Sequence, residues 1–143
     1  HWKAALDAME NGNMKEARAE KDKTIELLLA VDGILAAHPE RNLTDWVELA
    51  RAAADTPELK DKYEADVKRL VTIWGGAQED YAARMWAGLI KDYYIPRLEK
   101  HLDGQDKAAM APWKEEWLAA PYESSSIADP EPLETAVALI ECK

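Results

Sequence analysis

An all-α fold, a single bundle-like domain of about six or seven helices with one of them kinked at a proline, is what this sequence predicts. Apolar residues recur every three or four positions along almost the whole chain, the period of a helix with one buried face. Capping residues and helix stops punctuate that pattern at regular intervals, and no segment reads convincingly as a strand. The length, 143 residues, suits one core that buries roughly two thirds of the unfolded surface.

The first helix is short, Trp2 to Met9, and breaks at Asn11-Gly12-Asn13. The second, Met14 to Ala37, places Ile25, Leu28, Leu29 and Leu35 on one face until His38-Pro39 stops it. Asn42 offers a cap to the third, with Asp45 in its first turn and a face of Trp46, Leu49, Ala50 and Ala53 that runs out by Asp55. Thr56 caps the fourth, Pro57 takes its first position and Glu58 meets the helix dipole. Its stripe is Leu59, Tyr63, Val67, Leu70, Val71 and Trp74, ended by Gly75-Gly76.

The fifth helix, Asp80 to Leu102, carries Gly88 in its middle and Pro96 near its end, and Asp103-Gly104 closes it. Gly88 implies that another backbone or helix comes close there, at a helix cost of about 1 kcal/mol relative to alanine. Pro96 removes a backbone hydrogen bond and predicts a kink near Asp92 to Tyr94. Ala82, Trp86, Leu89, Ile90 and Tyr93 form its buried stripe, so Tyr93 and Tyr94 read as core. A sixth helix spans about Asp106 to Ala119, with Met110, Trp113 and Trp117 on one side and Pro112 bending it or delaying its start. The loop "APYESSSIADPEP", Ala120 to Pro132, leads to a last helix, Leu133 to Cys142, whose face is Leu133, Val137 and Ile140.

Charge narrows the partners. With 28 acidic against 18 basic side chains and a formal charge of -10, the chain repels a nucleic-acid backbone and an anionic membrane surface. No apolar run approaches the roughly 18 residues of a membrane span, and the lone Cys142 has no internal disulfide partner. The chain starts at His1 without a methionine or a signal peptide, which leads us to expect a piece of something longer. The motifs of catalysis are missing: no phosphate-binding glycine loop, no nucleophile elbow, no paired-histidine helix, and no implied metal or cofactor, since His1, His38 and His101 stand far apart. Adjacent carboxylates such as Glu115 and Glu116 point about 100° apart on a helix and read as solvated surface. Asn42-Leu43-Thr44 fits the glycosylation pattern, but the same residues have a capping task.

Thr72 to Arg97 reads "TIWGGAQEDYAARMWAGLIKDYYIPR". Its elements, in order, are Trp74-Gly75, Asp80-Tyr81-Ala82, Ala87-Gly88-Leu89 and Tyr93-Tyr94-Ile95-Pro96-Arg97, preceded by "WVELARAAAD" and "YEADVKRLVTIWG". This succession resembles the C-terminal helical domain of the α-N-acetylglucosaminidase family of glycoside hydrolases, over about Ile25 to Leu102. The resemblance implies a parent enzyme that removes terminal α-linked N-acetylglucosamine from glycans. Its two catalytic carboxylates would belong to a preceding (β/α)₈ barrel, itself preceded by a smaller domain. Residues 1–143 would then be an accessory domain, inactive alone, because retaining hydrolysis needs an acid/base and a nucleophile about 5 Å apart. Glycan breakdown would set the parent in a secreted, periplasmic or lysosome-like location.

In the family this domain packs beside the barrel and forms one wall of the sugar pocket. The positions that match are Trp74 and Tyr81, the expected substrate-binding residues, an aromatic face for the sugar's C–H surface and a phenol for a hydroxyl or the N-acetyl group. Trp74 also continues the stripe of the fourth helix, so it reads equally as core. The kinked fifth helix would face the barrel, with exposed aromatics as the trace of that contact. A different class of function, a free-standing helical module binding a protein or a glycan through the same aromatics, would need no barrel encoded upstream of His1.

Overall fold

The computed structural model describes residues 1–74 and 84–141. Among these it is all-α: α1 Trp2–Glu10, α2 Met14–Ala36, α3 Leu43–Ala52, α4 Pro57–Val71, a π-helical turn Ile90–Tyr94 running into α5 Ile95–Leu102, α6 Lys107–Ala119 and α7 Pro132–Glu141. A 3₁₀ turn at Pro39–Arg41 joins α2 to α3, and among the described residues no strand forms beyond an isolated parallel bridge between Asn42 and Ala87. α1 packs on α2, α3 on α4, α6 on α4, and α2 carries both the π turn and α7.

The helix starts follow from their caps. Asn13 Oδ1 accepts the Glu16 N–H at 3.3 Å, Asn42 Oδ1 that of Thr44 at 3.0 Å, Thr56 Oγ1 that of Leu59 at 3.3 Å and Asp106 Oδ1 that of Ala109 at 2.8 Å. Each supplies an acceptor to a donor that the helix itself leaves unused. Gly12, at φ +75°, lets the chain reverse between α1 and α2.

The core gathers Leu43, Val47, Val71, Trp86, Leu89 and Tyr93, with Val67, Tyr94, Trp113, Trp117 and Tyr122 packed around it. Tyr93 is its centre: fully buried, it stacks on Trp113 at 5.3 Å and meets Trp117 at 4.7 Å and Tyr94 at 5.6 Å between ring centroids. Such aromatic pairs stabilise beyond their area by about 0.5–1.5 kcal/mol each. The expected core role of Tyr93 is therefore met, and the members of the stripe among the described residues, Trp86, Leu89, Ile90 and Tyr93, are all buried.

Two expectations need correction. The helix expected from Asp80 does not include Arg84 to Gly88: Gly88 has φ +83°, outside the helical region, and helix begins only after it. Ala87 instead pairs with the segment before α3, its N–H donating to Arg41 O at 2.8 Å and its carbonyl accepting from Leu43 N at 3.1 Å. The distortion expected at Asp92 to Tyr94 is present as the π turn, in which the Ile95 N–H reaches back to Ile90 O. A widened turn accommodates Pro96, which has no N–H and would crowd the carbonyl four residues before it.

The second correction concerns faces. On α3 the buried residues are Leu43 and Val47, while Trp46 and Leu49 are exposed. On α4 the buried residues are Glu64, Lys68 and Val71, while Leu59, Tyr63 and Leu70 are exposed. α7 likewise exposes Leu133, Val137 and Ile140. Apolar periodicity located the helices; on α4 its stripe is half met, since Val71 is buried and Val67 packs on the core, while on α3 and α7 the expected face is exposed.

The close approach expected at Gly88 is real. A Cβ placed there would stand 1.9 Å from the Tyr122 hydroxyl oxygen. Gly88→Ala should therefore destabilise the domain twice over, by overpacking, about 1–3 kcal/mol, and by left-handed backbone strain, about 1–2 kcal/mol. Gly88→Ala combined with Tyr122→Ala should recover the first loss and leave the second, measured as thermal or denaturant unfolding of all three variants in a double-mutant cycle.

Candidate functional site

Trp74 follows the C-terminus of α4, two residues beyond Thr72. Thr72 is buried and closes the helix locally, its hydroxyl donating to Lys68 O at 2.7 Å and its N–H to Arg69 O at 3.3 Å. Trp74 itself stays 43% exposed, so within this chain its ring is not core, although α4 had offered it as the continuation of a buried stripe. Tyr81, the second expected pocket residue, lies outside the described residues. The structure thus brings Trp74 to an exposed position just past the end of α4.

What holds that helix end is a polar clamp. Glu64 is 4% exposed, and its two oxygens take the Arg51 guanidinium at 2.5 Å, the Lys68 ammonium at 3.4 Å and the Tyr122 N–H. Lys68 spends its remaining donors on the carbonyls of Trp117, at 3.0 Å, and Ala120, at 2.5 Å, with its ammonium 5.3 Å from the centroid of the Trp117 ring. Burial pushes the Lys68 pKa below its ordinary value, and the Glu64 carboxylate works against that shift. A buried ion pair of this kind is a weak source of net stability, yet removing one partner alone costs about 3–5 kcal/mol. Its structural effect is to fix α4 against the end of α6 and the chain that follows.

Beyond the span 75–83, Trp86 stacks on Trp46 with centroids 5.1 Å apart and planes at 22°. The anchor there is Asp32, 2% exposed, whose Oδ1 accepts the N–H of Gly88 at 2.9 Å and of Lys91 at 3.3 Å while its Oδ2 accepts the Ser126 hydroxyl at 2.5 Å. Asp92 repeats the theme on the surface, taking the Tyr122 hydroxyl at 3.3 Å together with the hydroxyl and N–H of Ser125. Three carboxylates from different helices therefore strap residues 120–129 across the domain, and both sides of the span that contains Tyr81 are tied to buried groups.

Sequence reasoning overlooked Asp32, Glu64 and Lys68. The signals were there: Asp32 is the one charge in the apolar run from Leu27 to Ala37, and Glu64 and Lys68 are an acid–base pair one helical turn apart. None of these carboxylates is available for acid/base work, because each already accepts from fixed donors. Glu115 and Glu116 are surface residues, Glu115 standing 3.4 Å from Arg69. Among the described residues no group of three or more histidine, cysteine, aspartate or glutamate side chains is placed to hold a metal ion, and no helix is long and apolar enough to cross a membrane.

The molecule is thus an all-α domain whose buried charges organise a helix end and a strap, with an aromatic side chain left open beside them. Residues 1–126 match the alpha-N-acetylglucosaminidase (NAGLU) C-terminal domain, and the chain belongs to that family. It is 41% identical to the human alpha-N-acetylglucosaminidase over 80 residues, which is 54% of this chain and 11% of the human protein. Its backbone is similar to that of a family 89 glycoside hydrolase from Clostridium perfringens in complex with a dideoxynojirimycin derivative, with a TM-score of 0.79 and 29% identity over 98% of this chain and 19% of that one. The same holds for a doubly substituted form of that enzyme in complex with its substrate GlcNAc-alpha-1,4-galactose, with a TM-score of 0.78 and 29% identity over 97% of this chain and 18% of that one. The likeness extends well past Ile25 to Leu102, where the motifs are dense, and the chain spans about a fifth of the solved relatives.

Tyr122 makes the strap sensitive to alkali. Its pKa is pushed up from 10 to about 12, first by burial and then by the Asp92 charge, so the folded state prefers the neutral phenol. With the folded value above the unfolded one, this contribution is complete below pH 10 and disappears between about pH 10 and 12. Unfolding free energy should therefore fall faster with pH across that window in the unsubstituted chain than in Tyr122→Phe, by up to about 2–3 kcal/mol. Parallel slopes in denaturant titrations would remove Tyr122 from the alkaline transition.

Proposed function

We propose that residues 1–143 are the C-terminal all-α domain of a longer α-N-acetylglucosaminidase that removes terminal α-linked N-acetylglucosamine from glycans. In this reading the domain supplies part of the sugar pocket, and a (β/α)₈ barrel of the same protein supplies the acid/base and the nucleophile. Family membership and the small share of each solved relative that the chain covers support the first part. One observation carries the second: Trp74 is 43% exposed just past the end of α4, a helix that Lys68 ties to the carbonyls of Trp117 and Ala120. Fixed aromatic side chains suit a pyranose because they present an apolar face without losing conformational entropy on binding. The complexes of the clostridial relative, one with a sugar mimic and one with GlcNAc-alpha-1,4-galactose, agree in chemical class with such a pocket.

The domain by itself should not hydrolyse an aryl α-N-acetylglucosaminide, because in this reading the acid/base and the nucleophile, which retaining hydrolysis needs about 5 Å apart, both belong to the barrel. Turnover by rigorously pure domain, lost on changing a residue within it, would overturn the assignment. The pocket role is tested in the full-length parent. Tyr81→Phe removes one hydrogen bond, worth about 0.5–1.5 kcal/mol, so kcat/KM should fall roughly three- to tenfold with the melting temperature nearly unchanged. Trp74→Ala should lower kcat/KM further, again in a folded protein. If Tyr81→Phe keeps full kcat/KM while Trp74→Ala mainly lowers the melting temperature, both residues are structural and the pocket wall is elsewhere.

A further inference from the structure

We infer that this domain has a binding site of its own for a small anion with an apolar body, in the cavity where α1, α2, α5 and α6 meet. The inference goes beyond the function proposed above and uses neither of the residues assigned to the sugar pocket. The cavity holds about 520 Å³, within the roughly 300–1,000 Å³ of sites that take small molecules. Its wall is apolar: Trp2 from α1, Leu28 from α2, Ile90 and Tyr94 from the π turn and Met110 from α6. Ile90 and Met110 are buried, so the packing of the domain fixes this wall. Met85 and His101 also line the cavity, and their exposure marks where it opens.

Charge and backbone both set this cavity apart from a packing gap. Arg97 and His101 stand one helical turn apart on α5 and line the same space. No acidic side chain lines it, although the chain has 28 acids against 18 bases. An apolar wall with a guanidinium and an imidazole on one side is complementary to an anion carried on an apolar group. Arg97 has other interactions within the chain, and its planar fork of five donors has capacity for a further acceptor. The π turn supplies two of the wall residues, and turns of this kind recur at functional sites. These features set the class of ligand as a compact aromatic or branched aliphatic carboxylate or sulfonate. A sugar fits poorly, because its hydroxyls would be left unpaired against Leu28, Ile90 and Met110.

The test titrates the full-length protein with anilinonaphthalenesulfonate, an aromatic sulfonate that fluoresces when it leaves water, and then with N-phenylnaphthylamine, which has the rings without the charge. One saturable site per chain is expected, with a dissociation constant of about 10–100 μM for the sulfonate. The uncharged probe should bind at least about fivefold more weakly. Met85→Trp, an enlargement at the exposed rim, should weaken the sulfonate about tenfold or more in a protein that melts at the same temperature. His101→Leu should weaken it about three- to tenfold and leave the uncharged probe unaffected. Absence of a saturable site, which is also what a cavity covered by another part of the protein would give, overturns the inference. Equal affinity for the two probes overturns the charge recognition and with it the class of ligand. Binding that survives Met85→Trp, or that N-acetylglucosamine displaces, puts the probe in another place and overturns the inference equally. Hydrolysis of an aryl α-N-acetylglucosaminide by the same samples keeps the two ideas apart. An active protein without the probe site loses this inference and keeps the function, whereas an inactive protein with the site does the reverse.

Discussion

A single buried carboxylate ties together the parts of this domain that are far apart in sequence. Asp32 lies near the C-terminal end of α2, and it receives the backbone N–H groups of Gly88 and Lys91, at the start of the helical run there, and a hydroxyl from the loop after α6. Those two N–H groups belong to a helix start, which has unused donors and a partial positive charge, so a carboxylate there is doubly favoured. The next residue, Gly33, continues the attachment, its carbonyl accepting the Asp129 N–H at 2.9 Å. Without the Asp32 carboxylate, this helix start would lose an acceptor for two N–H groups, and the strap would lose its bond at Ser126. The glycine at 88 belongs to the same arrangement: its positive φ turns the chain so that its N–H meets Asp32, and its missing side chain leaves room for Tyr122.

Local chemistry was legible in the sequence to the extent that it is local. Asn42 and Thr56 were read as caps, Pro57 as a first helical residue and Asn11-Gly12-Asn13 as a break, because each needs only its immediate neighbours to act. Gly88 was placed inside a helix because the surrounding residues are good helix formers, and only the distant Asp32 and the Arg41–Leu43 segment make the break preferable. The π turn was half legible. Pro96 announces that the ladder must change, but nothing nearby says that it changes by widening rather than by bending.

The stripe expected on α4 divides in the structure. Val67 and Val71 pack on the core beside the buried Glu64 and Lys68, while Leu59, Tyr63 and Leu70 are exposed. Apolar periodicity marks a helix and its average apolar side, but the acid and base one turn apart sharpen which part of that side faces the domain, because a buried charge needs its partner within reach.

The polarity of the inner interface has a consequence for Trp74. Apolar contacts tolerate sliding by fractions of an ångström, whereas Lys68 meets Glu64, two carbonyls and an indole face in directions set by its own donors. α4 is consequently fixed in rotation and in register against the end of α6, and Thr72 passes that constraint to the residues that follow through its bond to Lys68 O. Trp74, two residues further on, is 43% exposed. For the pocket wall proposed above, a helix tied in this way would set a stacking surface before the substrate arrives.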